Sequence, residues 1–226
     1  MRRIDRERSK LSNDAYRRLI DAMLDGTLAP GERLVQDQLA ERLDVSRTPV
    51  RDALVRLHSE GIIAPTGRRG YVVTELSPDE VRDNYDARIA IESHAAMRVT
   101  ERGDSAVGRV RAALEDSAVA DFSTARSSFA ANRAFHETVV RATENAELLL
   151  CCEAVWGRAL SVLIYRDYYV ASPADEFVRS HGSLVEIFER GDPDGSRRAM
   201  IAHIEDGIAH TPMLTETETS PVASAD

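Results

Sequence analysis

Apolar residues recur every three or four positions through the first part of the chain, the spacing at which side chains share one face of a helix. This pattern predicts three helices, over residues 12–24, 36–43 and 47–60. Gly61 ends the third helix in the position that glycine favours. Two short β-type segments follow, residues 62–65 and 71–74, and the residues between them include two glycines, which suits a hairpin. Three helices and a hairpin in this order are the outline of a winged helix-turn-helix.

From Ser77 onwards the pattern is almost purely helical. Ser77 stands as an N-cap, Pro78 takes the first helical position, and two acidic residues follow in the first turn. The helices predicted here span residues 78–101, 105–119, 123–143, 146–169, 174–190 and 194–209. The expected fold is mainly α, with an N-terminal winged helix-turn-helix and a C-terminal all-α bundle of six to seven helices. The predicted division is a flexible arm at residues 1–10, the winged unit at 11–75, the helical unit at 76–210 and a disordered tail at 211–226.

The net charge of −9 conceals an asymmetry between these two units. Residues 1–75 carry 14 Lys and Arg against 12 Asp and Glu, a net of +2. Residues 76–226 carry 15 against 26, a net of −11. Contacts to nucleic acid must then come from local basic features of the first unit.

The chain carries no sign of a membrane or secreted protein. No apolar run approaches the roughly 20 residues of a membrane-spanning helix, and no apolar core follows the basic N-terminus as it would in a signal peptide. The adjacent Cys151 and Cys152 do not suit a disulfide framework. We expect a soluble, cytoplasmic protein without a membrane partner.

The run VSRTPVRDALVRLHSEG contains the candidate DNA-reading residues. Val50 and Leu54 lie on the apolar face of the third predicted helix. Arg47, Thr48 and Arg51 point away from that face. The first residues of such a helix meet base edges in the major groove, where guanidinium groups bind guanine O6 and N7 or phosphate oxygens.

The tip of the predicted hairpin is a second basic feature. Arg68 and Arg69 beside Gly70 suit a close approach to a phosphate backbone or a minor groove. Alternatively, the arginines of the helix are only solvated and pair with Asp44 or Asp52. The combination of a short helix, a tight turn, a closing glycine and a basic wing favours DNA binding.

The run from Pro30 to Val73, with VSRTPVR in it and RGYVV at its end, resembles the DNA-binding domain of GntR-type bacterial transcription regulators. The resemblance implies a homodimer on a short, imperfectly palindromic, double-stranded operator. Asp44 stands where many relatives have glycine, and aspartate tolerates the left-handed conformation of that turn. Asp37 stands where some relatives place a DNA-contacting arginine, which removes that contact here. The expected DNA-binding residues are Ser46, Arg47, Thr48, Arg51, Arg68, Arg69 and Gly70.

Three of the six histidines, His136, His181 and His203, lie in separate predicted helices. Asn132 precedes His136 by four residues, so both side chains project from one helical face. A helical bundle can bring such groups together on one metal ion. From the residues alone, scattered histidines without a metal are the other interpretation, because the sequence does not show which helices meet.

The pattern N-x-x-F-H, with a histidine in each of the last two helices, resembles the FCD ligand-binding domain of the FadR subfamily. The resemblance implies a divalent metal ion, zinc with nickel, manganese or iron as alternatives. The implied ligands are Asn132, His136, His181 and His203. With asparagine in place of aspartate, the site is neutral apart from the ion.

The segment YDARIAIES resembles the first helix of the same domain, which carries an R-x-x-[IL]-E motif. Arg88 is then expected to bind the carboxylate of an effector through a bidentate pair. The alternative is an ion pair between Arg88 and Glu92 on the helix surface. Trp156, further along the chain, either packs in the core or lines a ligand cavity.

These features predict a bacterial transcription repressor that is nucleoid-associated when bound to DNA. A small organic acid bound beside the metal would control its operator affinity. One alternative is a metal-dependent enzyme fused to a DNA-binding head, but no H-E-x-x-H motif occurs and no carboxylate is placed by motif as a general base. Another alternative is a constitutive DNA-binding protein with a structural metal. We therefore expect a regulator and not an enzyme.

Overall fold

The computed structural model describes residues 6–67, 70–120, 122–157, 161, 163, 164 and 174–209. The chain forms two compact units, whose main division lies between Leu76 and Ser77. The elements of the first unit are α1 (Arg6–Leu24), β1 (Arg33–Leu34), α2 (Gln36–Leu43), α3 (Arg47–Ser59), β2 (Ile63–Pro65) and β3 (Tyr71–Val73).

Helix α1 begins at Arg6, six residues before the predicted start. Residues 6–10, which we expected to belong to a flexible arm, are therefore helical, and residues 1–5 lie outside the described part of the chain. The segment consists mostly of Arg, Glu and Lys, which have good helix propensity, but it has no apolar residue to reveal a period. The expectation of an arm was wrong there because it depended on apolar periodicity alone.

The wing is a three-stranded antiparallel sheet with the order β1-β3-β2. The predicted hairpin is present as β2 and β3, with Ala64 opposite Val72. Strand β1 was not predicted, and in it Arg33 also lies opposite Val72. Two residues are too few for an alternating pattern, so only the pairing identifies β1 as a strand.

The turn between α2 and α3 has the conformation that the sequence suggested. Asp44 is left-handed, with φ 54° and ψ 48°, and its backbone N–H bonds to the end of α2. Ser46 occupies the N-cap position of α3 with an extended backbone, but its side chain makes no capping hydrogen bond. Gly61, with φ 77°, follows the end of α3 as predicted.

The core of the first unit lies between α1 and α3. Its most deeply buried side chains include Leu19, Met23, Val50, Leu54 and Leu57. This apolar face fixes the rotation of α3 about its axis, because burying it leaves only one side of the helix available to solvent.

The second unit is helical throughout its described elements. These are α4 (Pro78–Glu101), α5 (Asp104–Ala118), α6 (Ala125–Arg141), α7 (Ala146–Trp156), α8 (Ala174–Glu189) and α9 (Pro193–Ala209). Most of the predicted helix beyond Trp156 and the whole predicted tail at residues 211–226 lie outside the described residues. The predicted fold class, a winged helix-turn-helix followed by a helical unit, is confirmed.

Helices α4 and α9 run antiparallel and in contact along their length. The hydroxyls of Thr100 and Ser196 are hydrogen-bonded at 2.8 Å near one end of the pair, and Tyr85 donates to the carbonyl of Gly207 at 3.3 Å near the other. The predicted start of α4 is confirmed, since the N-cap Ser77 forms a reciprocal capping box with Glu80. Within the described residues, no helix combines the length and apolar character that a bilayer crossing requires.

Candidate DNA-binding surface and histidine cluster

The start of α3 presents two arginines to solvent, as the sequence predicted. The side chains of Arg47 and Arg51 are 72% and 60% exposed, on the side opposite the buried Val50 and Leu54. Thr48 is half-buried between these two faces. The polar atoms of this helix start are therefore accessible to a ligand as large as duplex DNA.

Each arginine has an acidic neighbour. Nε of Arg47 lies 2.9 Å from Oδ1 of Asp37, and Nη2 of Arg51 donates to Oδ1 of Asp52 at 3.4 Å. The pairing of Arg51 with Asp52 had been foreseen, whereas Arg47 pairs with Asp37 and not with Asp44. Exposed ion pairs of this kind contribute about 0–1 kcal/mol, so neither one prevents an arginine from binding DNA.

An open groove of about 550 Å³ separates the helix starts from the wing. Asp37 and Arg47 line one side, and Gly67, Gly70 and Tyr71 line the other. The predicted wing-tip contacts Arg68 and Arg69 lie outside the described residues. Gly70, the remaining predicted wing contact, is therefore brought to the same groove as Arg47.

In the second unit, His136 of α6, His181 of α8 and His203 of α9 converge. Their candidate ligand atoms all lie within 4.8 Å of one another. The Nε2 atoms of His136 and His181 are 3.2 Å apart, and both side chains are buried. The three histidines that the sequence singled out are thus brought together by three different helices.

The hydrogen-bond partners of two histidines determine their tautomers. Nδ1 of His181 lies 2.7 Å from the carbonyl oxygen of Phe177, which can only accept, so Nδ1 carries the proton. Nδ1 of His136 lies 2.6 Å from Oε2 of Glu92, and neither atom has another hydrogen-bond partner. An ionised carboxylate also only accepts. Both Nε2 atoms therefore direct a lone pair towards each other across 3.2 Å.

The surroundings keep these imidazoles neutral. Burial lowers the pKa of His136, although the charge of Glu92 and its hydrogen bond oppose that shift. Burial, followed by the charge of neighbouring histidines, holds the pKa of His181 and of His203 well below the usual value. A neutral imidazole is the form that ligates metal ions.

Glu92 is the central polar residue of the cluster, and the sequence interpretation missed this role. Its Oε1 accepts from Nε of Arg88 at 3.0 Å and from Nε1 of Trp156 at 2.8 Å, while Oε2 faces His136. Burial alone raises the pKa of Glu92. The charges of Arg88 and His136 and their hydrogen bonds lower it further than burial raises it, so the group stays ionised.

The alternative interpretation of Arg88, an i,i+4 pair with Glu92, is present but is not on the helix surface. The side chains of Arg88 and Glu92 are 11% and 1% exposed. A sequence signal existed in IAIES, where Glu92 is the only charged residue among apolar neighbours.

Arg88 also lines a small cavity beside the histidines. Its guanidinium lies 4.2 Å from the ring centroid of Trp156, and its Nη atoms have no hydrogen-bond partner among the described residues. The cavity, of about 40 Å³, is lined by Arg88, Asn132 and the three histidines. The structure thus brings all five predicted metal-binding and effector-binding residues to one cavity, and Trp156 serves both core and cavity through Arg88.

The first unit has the fold and the arginine-bearing helix of a winged helix-turn-helix DNA-binding protein. The family model described as bacterial regulatory proteins, gntR family, matches residues 11–73, and the FCD domain model matches residues 83–206, more than half of the chain. The chain therefore belongs to the GntR family of bacterial transcription regulators and carries an FCD domain.

Known proteins of similar sequence and structure agree with this family. An HTH-type transcriptional regulator in an unstable DNA locus of Streptomyces ambofaciens is 30% identical over 225 residues, covering 92% of this chain and 91% of the relative. The HTH-type transcriptional repressor RspR of Escherichia coli K12 is 27% identical over 206 residues, covering 87% and 86%. The solved structure of E. coli McbR/YncC has the same fold, with a TM-score of 0.64 at 22% identity over 92% of this chain and 99% of that one. Since the family and these relatives are transcription regulators, the prediction of a regulator and not an enzyme is confirmed.

Proposed function

We propose that this protein is a repressor that binds an imperfectly palindromic operator as a homodimer. In this proposal, a small organic acid bound beside a divalent metal ion in the FCD domain controls operator affinity. The name of the relative RspR supports repression. Two exposed arginines at the start of α3 support direct reading of bases in the major groove.

The facing lone pairs of His136 and His181 support the metal more strongly than any other observation. Two buried acceptors 3.2 Å apart repel each other unless a cation lies between them. His203 and Asn132 supply a third nitrogen and an amide oxygen at the same cavity. Three histidines with one further ligand suit zinc, and nickel, manganese or iron accept similar donors.

The unpaired end of Arg88 supports a carboxylate effector. Nε is bonded to Glu92, so Nη1 and Nη2 remain for a bidentate carboxylate. The cavity of about 40 Å³ favours an acid with few atoms. A bound Zn²⁺ would supply positive charge for a second oxygen of the acid. The acid can change operator affinity only by binding differently to the DNA-bound and free states.

A thermal-shift titration tests the metal and the effector together. We expect at least one of lactate, malate, succinate, citrate and gluconate to raise the melting temperature of zinc-loaded protein, because a ligand bound only to the folded state stabilises it. The same acid should weaken operator binding in a fluorescence anisotropy titration. The operator is first obtained by selecting bound duplexes from a random library.

The controls of this titration are chelated protein and the variant Arg88→Lys, which keeps the charge but loses the two-nitrogen edge. Neither should respond to the acid. An equal thermal shift without metal would refute the shared site. Zinc binding without any effect of an acid on operator affinity would favour a constitutive regulator with a structural metal.

A second prediction tests the recognition helix. Arg51→Ala is expected to weaken operator binding by about 1–3 kcal/mol, because a lost base contact has that magnitude, and to leave dimerisation unchanged. Anisotropy gives the affinity, and sedimentation gives the oligomeric state.

Arg56→Ala is the matched control for this variant. Arg56 lies on the same helix, but its guanidinium stacks on Tyr16 and bonds to Glu60. Its replacement should leave operator affinity within about twofold, since it touches neither the predicted DNA face nor the wing groove. An Arg51→Ala variant that binds as tightly as the wild type would show that α3 is not the reading helix.

A further inference from the structure

We propose that Asp37 is a positioning residue for Arg47, which sharpens the choice of one base pair in each half-site while weakening binding to DNA of any sequence. The inference concerns the DNA-binding surface and does not depend on the proposed metal or effector. From the sequence alone, Asp37 only removes a DNA contact. Its neighbours in the structure indicate a role of its own.

The starts of α2 and α3 are joined at two points, and both involve Arg47. The side-chain Nε2 of Gln36 donates to the backbone oxygen of Arg47 at 2.9 Å. Oδ1 of Asp37 lies 2.9 Å from Nε of Arg47. One residue thus holds the backbone of Arg47 and the next one holds its side chain, so two consecutive residues of α2 determine where the guanidinium lies.

The ion pair leaves the reading end of Arg47 available. Asp37 contacts Nε, and Nη1 and Nη2 of Arg47 have no partner among the described residues. Guanine is recognised by two parallel donors directed at O6 and N7, which the planar end of a guanidinium provides. The pair between Arg51 and Asp52 differs, because there the carboxylate contacts Nη2 itself.

The position of Asp37 is unfavourable for overall DNA affinity. Its carboxylate is 59% exposed and lines the groove between the helix starts and the wing, where phosphates are expected to approach. A negative charge there repels every duplex, whatever its sequence. Only a sequence in which Arg47 meets its base compensates for that repulsion, so Asp37 increases discrimination.

The variant Asp37→Asn of the full-length protein tests this inference by selection of bound duplexes from a random library. The preference at the base pair that Arg47 reads should fall by about twofold to fivefold, the range expected for one exposed ion pair. Binding to a scrambled duplex at low salt should rise by about twofold to fivefold, since one repulsive charge is removed. The base pair is identified as the one whose preference is lost in Arg47→Ala.

Two further variants separate positioning from charge. Asp52→Asn removes the same charge from the same surface, and it should strengthen scrambled-duplex binding while leaving the Arg47 base pair preferred. In the Arg47→Ala background, Asp37→Asn should have no further effect on base preference. The inference is overturned if Asp37→Asn leaves base preference unchanged, or if preference falls equally with and without Arg47. Circular dichroism of each variant shows that the helices are retained.

Discussion

Replacing Glu92 by glutamine is expected to lower the free energy of unfolding by about 3 kcal/mol, because it removes one partner of a buried charge pair. Glu92 is 1% exposed and holds Arg88, which is 11% exposed. Without the carboxylate charge, the guanidinium of Arg88 remains buried without an opposite charge. One face of the glutamine amide would also direct a donor at either His136 or the two groups that now donate to Oε1.

Urea denaturation in the presence of a chelator measures this effect apart from any metal. Glu137→Gln is the matched control, because Glu137 pairs with Arg133 at the same i,i+4 spacing, but with side chains 17% and 34% exposed. We expect that control to cost less than about 1 kcal/mol. Equal losses for the two variants would mean that burial of the Glu92 pair contributes nothing to its importance.

Replacing His181 by alanine is expected to abolish stoichiometric zinc binding and, with it, the stabilisation that zinc provides. A metal present at a hundredfold excess over its dissociation constant stabilises the folded state by about 2.7 kcal/mol. His181 supplies one of the two facing Nε2 atoms, so its loss also removes their repulsion. The difference in melting temperature between zinc-loaded and chelated protein should therefore be large in the wild type and close to zero in the variant.

The comparison of loaded with chelated protein separates metal binding from packing. The buried side chain of His181 leaves a cavity when truncated, but that cost is the same with and without zinc. His94→Ala, which changes an exposed histidine of α4, should keep the full zinc-dependent shift. A His181→Ala variant with normal metal content by elemental analysis would exclude His181 as a ligand.

Local features of both units were predictable from the sequence. The helical period, the capping box at Ser77, the left-handed turn at Asp44 and the glycine after α3 all follow from residues close together in the chain. The exposed side of α3 was predictable for the same reason, since its apolar face must be buried. The early start of α1 and the strand β1 were missed because neither contains an apolar period.

Contacts between distant segments were beyond the sequence. Glu92 was expected to lie on the surface because its nearest basic neighbour, Arg88, suggests an ordinary helix pair. Only the packing of α6 and α7 around α4 buries it and adds His136 and Trp156 as partners. Likewise, Asp37 was interpreted through one position of α2, whereas its partner Arg47 lies on another helix.

The sequence by itself determined the elements, the reading face of α3 and the types of residue able to bind DNA, a metal or an acid. The tertiary structure decided which of them meet: three histidines from three helices, a buried carboxylate behind one of them, and an arginine directed into their cavity. The physical reason is that backbone propensity and periodicity depend on neighbours within a few residues. Convergence of side chains depends on how whole helices pack, which no local pattern specifies.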